Sequence, residues 1–443
     1  MVDGTRRWWG GPLDTERLAR TEVSRVRDAA AELAAARGLD IRIDTSEALT
    51  AASFAAHEHL RMDGRALQAW GEFSGFVAAR DGWVRVHGNY PHHAAIIREV
   101  LGVDDRAGLE REVGRREAAE VETRISAAGG IAVAVRTEDE WHGHPHHRAT
   151  ADDPWSSVVE RRDRPELSSL REPITAPAGA VAARPATLPL RGVRVLDLTR
   201  VIAGPTCTQL LACLGADVLR IDPPHRPEIL AQHLSTGMGK RSALLDLRRD
   251  ADRLRALAAE ADVILDGYRP GALVAHGLGT EDLGRTAPQA VLVSLSAWGE
   301  HGPWGGRPGF DSIVQATTGI AVRCGTGGEP GALPVQALDH ASGHRMAGHI
   351  LDVLLRGRAA TIRVNLLGAA RTLLAEPSPE ARTAPAALGR ETLEVLEVPR
   401  VTVLSADGPL ETVPPPLQIE GRTLEAPVGG YGSATVDWAW WRR

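Results

Sequence analysis

The fold is decided at Val193-Arg194-Val195-Leu196-Asp197-Leu198, which is followed by Ala203-Gly204-Pro205 and an apolar run from Thr206 to Leu214. The first segment has the aliphatic pattern of a buried strand, which the glycine and proline interrupt. The run after them predicts a helix that Gly215 closes, and Ala216 to Ile221 predicts the next strand. A strand, a helix and a second strand in this order are typical of a parallel sheet covered by helices.

Two further strands are predicted at Val263 to Leu265 and at Val291 to Ser294. Ala251 to Glu260 predicts a helix before the first of them, and Ala272 to Thr286 forms the segment that connects the two. Right-handed crossovers place the loops that follow such strands at one edge of the sheet, where ligands bind. We therefore expect an α/β protein with a doubly wound parallel sheet.

The rest of the chain predicts smaller units. Residues 1–150 form a small α/β module with a helix over 14–37 and a hairpin over 76–90, turning at Asp81-Gly82. The hairpin is followed by helices over 92–102 and 106–127 and by a short strand over 131–135. Residues 151–189 contain six prolines and predict a linker or an extended arm.

The C-terminal extension, residues 375–443, is rich in proline and glycine and predicts only weak strands at 393–396 and 401–404. It ends in Trp438-Ala439-Trp440-Trp441. Exposed aromatic side chains at a terminus favour packing on another surface or on a second subunit.

Composition excludes several classes of function. The formal net charge of -6 argues against non-specific binding to nucleic acid or to an anionic membrane. No apolar run reaches transmembrane length, and the first residues lack the apolar core of a signal peptide. The three cysteines have no zinc-ligand spacing, so a reduced cytoplasmic location is the default expectation.

The segment Pro334-Val335-Gln336-Ala337-Leu338-Asp339 brings one acidic residue to a helix predicted over Ser342 to Leu355. A carboxylate at a helix N-terminus lies in a positive field, which favours its ionised, nucleophilic form. The alternative is that Asp339 only caps the helix, because aspartate is a preferred N-cap residue.

Four loops are candidates for the ligand site. Ala203-Gly204 could let an anion approach the helix N-terminus, although a plain strand-to-helix turn explains it as well. Lys240-Arg241 and Tyr268-Arg269 suit a phosphorylated, adenine-bearing ligand, the alternative being solvated surface charges. The long glycine-rich loop over 296–309 is of the kind that covers a site.

His142 to His147 contains four histidines without the spacing of a metal site, so a polar loop is favoured and no metal is predicted. The chain also lacks the G-x-S-x-G motif of a serine hydrolase.

The order of these pieces resembles the family III CoA-transferases, over about residues 190–370. The resemblance is carried by motifs spread along that stretch: Gly192 to Leu198, Ala203-Gly204-Pro205, Leu214 to Val218, Lys240-Arg241-Ser242, Asp246-Leu247, Ala261-Asp262-Val263, Arg269-Pro270-Gly271, Gly277-Leu278-Gly279, Gly302-Pro303, Arg307 to Asp311 and the segment at Asp339. It implies that residues 190–374 are a Rossmann-like domain that binds CoA and carries out the catalysis.

The resemblance also implies the chemistry. Asp339 would attack an acyl-CoA thioester, pass through an aspartyl-CoA thioester and deliver CoA to a carboxylic acid acceptor. CoA would be a substrate rather than a tightly bound cofactor. We expect two groups of residues to contact CoA. One is Ile202, Ala203 and Gly204, and the other is Lys240, Arg241, Gly267, Tyr268 and Arg269.

Family members form interlocked homodimers, so we expect a homodimer or a heteromer with a paralogue. The small module precedes the catalytic segment here, whereas it follows that segment in the family. Phe310 stands where the family's racemases have their catalytic histidine, which disfavours racemisation because phenylalanine exchanges no proton. A 2-methylacyl-CoA racemase-type isomerase and a non-catalytic CoA-binding subunit remain the alternatives.

Overall fold

The structure is a computed structural model that describes residues 8–68, 70–163, 188–375 and 398–438. Its helices are α1 (Thr15–Ala36), α2 (Glu47–Phe54), α3 (Ala56–His59), α4 (Pro91–Leu101), α5 (Arg106–Gly114), α6 (Ala118–Ala127), α7 (Glu138–His142), α8 (Pro145–Thr150), α9 (Ala203–Cys213), α10 (Leu230–Thr236), α11 (Leu247–Ala259), α12 (Thr280–Thr286), α13 (Asp311–Thr317), α14 (Ile320–Arg323), α15 (Ala337–Leu355) and α16 (Leu366–Ala375).

Its strands are β1 (Ile43–Asp44), β2 (Arg61–Met62), β3 (Arg65–Ala66), β4 (Gly75–Ala78), β5 (Trp83–Val86), β6 (Ala132–Ala134), β7 (Ser156–Asp163), β8 (Arg194–Leu198), β9 (Asp217–Asp222), β10 (Arg241–Leu244), β11 (Val263–Asp266), β12 (Val291–Ser296), β13 (Arg358–Asn365), β14 (Val401–Ser405), β15 (Gly408–Thr412), β16 (Gln418–Ile419) and β17 (Arg422–Thr423).

The central sheet has the strand order β10-β9-β8-β11-β12-β13-β7. The first six strands are parallel, and numbered along the chain they lie in the order 3-2-1-4-5-6, which is that of a doubly wound sheet. Its central strands β8 and β11 are almost wholly buried, as expected for a parallel sheet covered by helices. The predicted α/β fold with a parallel sheet is confirmed.

The edge strand β7 corrects one prediction. Ser156–Asp163 pairs antiparallel with β13, although this stretch was predicted to belong to a linker. Its side chains are half-buried or exposed, so it lacks the apolar run that marks the inner strands. The remainder of the predicted linker, residues 164–187, lies outside the described residues.

The long helix α15 runs through the core, and α1 packs along it. Arg345 on α15 pairs with buried Glu22 on α1 at 2.6 Å. On its other side α15 approaches α9 so closely that a Cβ at Gly343 would lie 2.5 Å from the carbonyl oxygen of Ala203. The N-terminal helix therefore contributes to the same core as the central sheet.

A smaller unit has its own core. Strands β4, β5 and β6 form a three-stranded antiparallel sheet, packed against α4, α5 and α6 through residues such as Val84, Ile97 and Val121. The turn between β4 and β5 falls at Asp81-Gly82, as predicted.

The C-terminal segment packs on its own chain. Strand β15 pairs with both β14 and β2. Trp438 is buried under Arg194 and Arg241 and donates a hydrogen bond to the carbonyl oxygen of Leu257 at 3.0 Å. Trp438 thus packs on another surface of its own chain, while Trp440, Trp441 and the weak strand at 393–396 lie outside the described residues. Among the helices described, none has the length and apolarity needed to cross a membrane.

Candidate active site

Asp339 lies in the first turn of α15, and a different carboxylate caps that helix. The helix begins at Ala337 after Gln336, whose side chain makes no capping bond. The amide of Asp339 donates to Oδ2 of Asp311 at 3.0 Å, and Gln315 donates to the other oxygen of that carboxyl. The alternative, that Asp339 only caps a helix starting at Ser342, is therefore wrong, because the helix begins at Ala337 and Asp311, at the start of α13, accepts from the amide of Asp339.

Burial changes the charge state expected for Asp339. Its side chain is almost completely enclosed, and burial together with the neighbouring Asp311 raises its pKa well above the ordinary range. Burial raises the pKa of Asp311 to about 6, while its hydrogen bonds and the nearby Arg85 oppose this shift. Desolvation and the like charge of Asp311 thus oppose the ionisation of Asp339 that the helix field favours.

Asp339 borders a small cavity of about 20 Å³. Residues from the small unit and its flanking loop form one side, including Trp70, His87 and Asn89. Val201 and Ile202 form another, and Phe310 borders the same space. One chain thus supplies side chains on several sides of the carboxyl, even though the small unit precedes the sheet in sequence.

His87 is a site residue that the sequence analysis missed. Its imidazole stacks on the Phe310 ring with centroids 3.8 Å apart and planes 9° apart. Burial and the nearby His93 and Arg85 lower the pKa of His87 to about 3, so the ring is neutral at physiological pH. The signal was weak because His87 lies more than 200 positions before Phe310, and only the tertiary fold joins them.

The loop after β8 is strained where it enters the site. Val201 has a φ of +70°, which is unusual for a β-branched residue. Its amide donates to Oε2 of Glu228 at 3.0 Å, which holds the turn. Ile202 then precedes α9, and a Cβ at Gly204 would lie 2.2 Å from Cβ of Thr199, so only glycine fits. Ile202, Ala203 and Gly204 are all buried.

A buried charge network links the small unit to the sheet. Glu228 accepts hydrogen bonds from the hydroxyl of Tyr90 at 2.5 Å and from Arg220 at 2.8 Å. Arg220 also pairs with Asp222, and Arg220 and Arg200 hold the pKa of Glu228 at about 2 despite its burial. Tyr90 precedes α4 of the small unit, so this network fixes that unit beside the loop that carries Val201.

Lys240 and Arg241, which were predicted to bind the phosphates of CoA, do not lie at the ligand-binding edge of the sheet. Lys240 is buried, and its Nζ lies 2.8 Å from Thr208 Oγ1, 3.1 Å from the carbonyl oxygen of Pro205 and 3.4 Å from Asp197. Arg241 pairs with Asp217 and donates to the carbonyl oxygen of Asp437. The phosphate interpretation of both is corrected, because these residues come at the beginning of β10 and their side chains bind protein groups.

Gly267, Tyr268 and Arg269 do lie at the ligand-binding edge, directly after β11. Tyr268 is half-buried, and its amide donates to Asp266 at 2.8 Å. Gly267 and Arg269 are exposed. Strands β8 and β11 are neighbours at the point where the strand order reverses, which is the usual ligand crevice of a doubly wound sheet.

Other cationic residues, which the sequence analysis did not single out, gather near Arg269. Arg226 follows β9 and is exposed, while Arg200 follows β8. The charges of Arg226, Arg200 and Arg269 all help to lower the pKa of His93, which burial and His92 shift to about 3. Three loops at one edge of the sheet therefore bring positive charge to one place.

The glycine-rich loop is held by the histidine cluster. Nδ1 of His146 accepts a hydrogen bond from the amide of Trp304 at 3.1 Å, and its Nε2 lies 3.0 Å from the carbonyl oxygen of Trp298. Within the described residues, no group of histidine, cysteine and acidic side chains has a metal-binding arrangement. Arg269 and this loop border a crevice of about 160 Å³, together with residues 126–133.

Sequence comparison shows what the region that contains this site is similar to. Residues 190–405, just under half of the chain, match the model of CoA-transferase family III, the family that the motifs resemble. A probable fatty acyl-CoA transferase of Mycobacterium tuberculosis is 37% identical over 183 residues, covering 38% of this chain and 46% of the relative. Human succinyl-CoA:glutarate CoA-transferase is 33% identical over 198 residues, covering 40% and 45%.

The chain thus spans less than half the length of these curated relatives. Among solved structures, the M. tuberculosis protein aligns at 37% identity with a TM-score of 0.40, over 42% of this chain and 56% of that one. A CAIB/BAIF family protein from Brucella suis aligns at 27% identity with a TM-score of 0.39, over 50% and 65%.

Replacing Asp339 by asparagine is expected to stabilise the protein at neutral pH. The pKa of Asp339 in the folded state lies above its unfolded value, so stability falls as pH rises from about 4 through the raised pKa. Asparagine does not titrate, so Asp339→Asn should raise the free energy of unfolding by about 1–3 kcal/mol at pH 8 and by less at pH 4.

Urea unfolding of both proteins across this pH range measures the difference. Asp352→Asn, on the same helix but half-buried beside Arg25, is the matched control and should show no such gain. A loss of stability on Asp339→Asn at pH 8 would contradict the assigned electrostatics.

Proposed function

We propose that this chain is an acyl-CoA:carboxylate CoA-transferase in which Asp339 is the nucleophile. The observation that carries the proposal is a buried carboxyl that borders a small cavity, next to the switch point of a doubly wound sheet. The match of residues 190–405 to CoA-transferase family III supports the class of reaction.

The reaction would proceed by exchange at two carbonyl carbons. An oxygen of the Asp339 carboxylate attacks the thioester carbonyl and the C–S bond breaks. CoA leaves as a thiolate, and a mixed anhydride of Asp339 and the acyl group remains. The thiolate then attacks the Asp339 carbonyl, releasing the acyl group as a carboxylate and leaving an aspartyl-CoA thioester. The acceptor carboxylate then attacks the aspartyl-CoA thioester, which forms a second mixed anhydride and releases the CoA thiolate. The thiolate attacks the carbonyl of the acceptor, which leaves as the new acyl-CoA and regenerates the Asp339 carboxylate.

The raised pKa of Asp339 would control how much nucleophile is available. Only the ionised carboxylate attacks, so the rate should rise with pH through the coupled ionisations of Asp339 and Asp311. A poorly solvated carboxylate is also a reactive one, since no water shell has to be removed before attack.

The phosphates of CoA would meet Arg226 and Arg269, in place of Lys240 and Arg241. Both arginines are exposed, lie on loops at the carboxyl edge and make no ion pair within the described ranges. Tyr268 offers an aromatic face for the adenine. Ile202, Ala203 and Gly204 are buried, so their role would be to shape the wall beside Asp339 rather than to contact the adenine.

We also propose that the partners are an acyl-CoA, a carboxylic acid acceptor and a second subunit, and that the protein acts in the cytoplasm. The subunit could be a copy of this chain or a paralogue. A relative from Chloroflexus aurantiacus, 37% identical over 153 residues, is named as the beta subunit of a succinyl-CoA–L-malate CoA-transferase. Residues 71–150 would be the small module, since α1 shares the core of the larger unit.

One observation favours a second candidate, the 2-methylacyl-CoA isomerase. His87 borders the cavity of Asp339 while stacked on Phe310, so an imidazole is present although position 310 is a phenylalanine. A neutral imidazole and a carboxyl could exchange an α-proton between them. Deuterium wash-in at the α-carbon that is lost in His87→Asn, with no adduct on Asp339, would favour this candidate over transfer.

Trapping the covalent intermediate tests the proposed transfer. The protein is incubated with short acyl-CoAs, treated with hydroxylamine, and its peptides are mapped by mass spectrometry. We expect a hydroxamate on Asp339, and a fall in transfer of at least about 10³-fold in Asp339→Asn. Asp352→Asn should keep both the label and the activity. CoA binding without any label on Asp339 would instead support a non-catalytic CoA-binding subunit.

Removing the positive charge of Arg226 or Arg269 should weaken CoA binding. We expect Arg226→Gln and Arg269→Gln each to raise KM for the acyl-CoA by about 10-fold at low salt, with a smaller effect at high salt. Arg285→Gln is the control, because Arg285 is on α12, which leads into the opposite edge of the sheet. An unchanged KM in both variants would rule out this phosphate site.

A further inference from the structure

A second cavity adjoins that of Asp339, and the proposed reaction leaves it unused. The two share a wall made by His57, Ile202 and Gln232. His340 and His344, on the neighbouring face of α15, border the second cavity, whereas Asp339 borders the first. Each has a volume of about 20 Å³, which suits one water-sized group such as a hydroxyl or a methyl.

The protonation of His344 follows from its neighbours. Its Nδ1 lies 2.7 Å from the carbonyl oxygen of His340, which can only accept, so Nδ1 carries the proton. Burial lowers the pKa of His344 to about 4, so the ring is neutral and its Nε2 has a free lone pair. That Nε2 atom is buried and has no hydrogen-bond partner.

Gln232 supplies a second acceptor. Its Oε1 is also buried without a hydrogen-bond partner. Two donors nearby are already used: Thr236 donates to the carbonyl oxygen of Gln232 at 2.8 Å, and Gln209 donates to that of Ser235 at 3.1 Å. Two buried acceptors without hydrogen-bond partners therefore belong to side chains that border this cavity, and each unpaired acceptor costs free energy.

Charge restricts the ligand further. No lysine or arginine borders either cavity among the residues that the structure describes. A second carboxylate on the acyl chain would be buried without a cation and would face two acceptors, which is strongly unfavourable. A plain alkyl chain would leave both acceptors unpaired.

We propose that the second cavity selects a short acyl group that carries a hydroxyl, which donates its hydrogen bond to His344 Nε2 or Gln232 Oε1. This rests on the proposed function, because the acyl carbonyl must lie at Asp339. The hydroxyl would lie within a few carbons of that carbonyl, since the two cavities share a wall.

Three acyl-CoAs with four-carbon acyl groups test the selection: 3-hydroxybutyryl-, butyryl- and succinyl-CoA. For each, kcat/KM and the extent of Asp339 labelling are measured on the full chain. We expect 3-hydroxybutyryl-CoA to exceed each of the others by roughly 100-fold in kcat/KM. His344→Phe keeps a ring that stacks on Phe54, and Gln232→Met keeps the length of that side chain. Both should reduce the ratio of hydroxybutyryl to butyryl to below about 10-fold.

The possible outcomes separate the two proposals. If Asp339 is labelled but butyryl- or succinyl-CoA is the preferred substrate, the hydroxyl selection is overturned and the transferase proposal stands. An unchanged ratio in both folded variants, checked by circular dichroism, also overturns it. Labelling of Asp339 by none of the three overturns the proposed function, and the hydroxyl selection with it.

Discussion

Two carboxyls are buried at the start of α15, and much of the site depends on that pair. The first amides of a helix have no acceptor within the helix itself. For Asp339, Asp311 supplies that acceptor from the separate helix α13. This leaves Asp339 in the same turn with no capping role and with a like charge beside it. The arrangement costs stability but provides a desolvated carboxyl whose ionised form is reactive. It also fixes Phe310, directly before Asp311, against which His87 packs.

The site also requires that the small unit, which contains β4, β5 and β6, stays in place beside Asp311 and Asp339. The network around Glu228 does this, because it joins Tyr90 of that unit to Arg220 in the sheet and to the amide of the strained Val201. One set of buried charges thus holds the unit and the turn together. The order of the units along the chain matters little for the site, since contacts in space rather than neighbours in sequence enclose Asp339.

The parallel sheet could be predicted because β8, β9, β11 and β12 contain short aliphatic runs bounded by glycine, proline or charge, as at Val263 to Leu265, whereas β13 mixes polar and apolar residues and was not predicted. The edge strand Ser156–Asp163 could not, since it is largely polar and exposed and follows a proline. The start of α15 was placed too late because Ala337-Leu338 continues an apolar run that equally suits a strand. Lys240 was misassigned because charge alone does not reveal that a side chain turns inward to Asp197. His87 and the capping role of Asp311 depend on tertiary contacts that no local pattern contains.

The protonation state of Asp339 can be measured most directly by infrared difference spectroscopy, comparing the wild-type protein with Asp339→Asn over a range of pH. At pH 6 we expect a carbonyl band of a protonated carboxylic acid that is present in the wild type and absent in the variant. It should convert to a carboxylate band only well above the ordinary aspartate pKa of about 4. Only carboxylate bands at pH 6, with conversion near pH 4, would show that Asp339 is a solvated, ordinary acid and would contradict the buried-pair electrostatics.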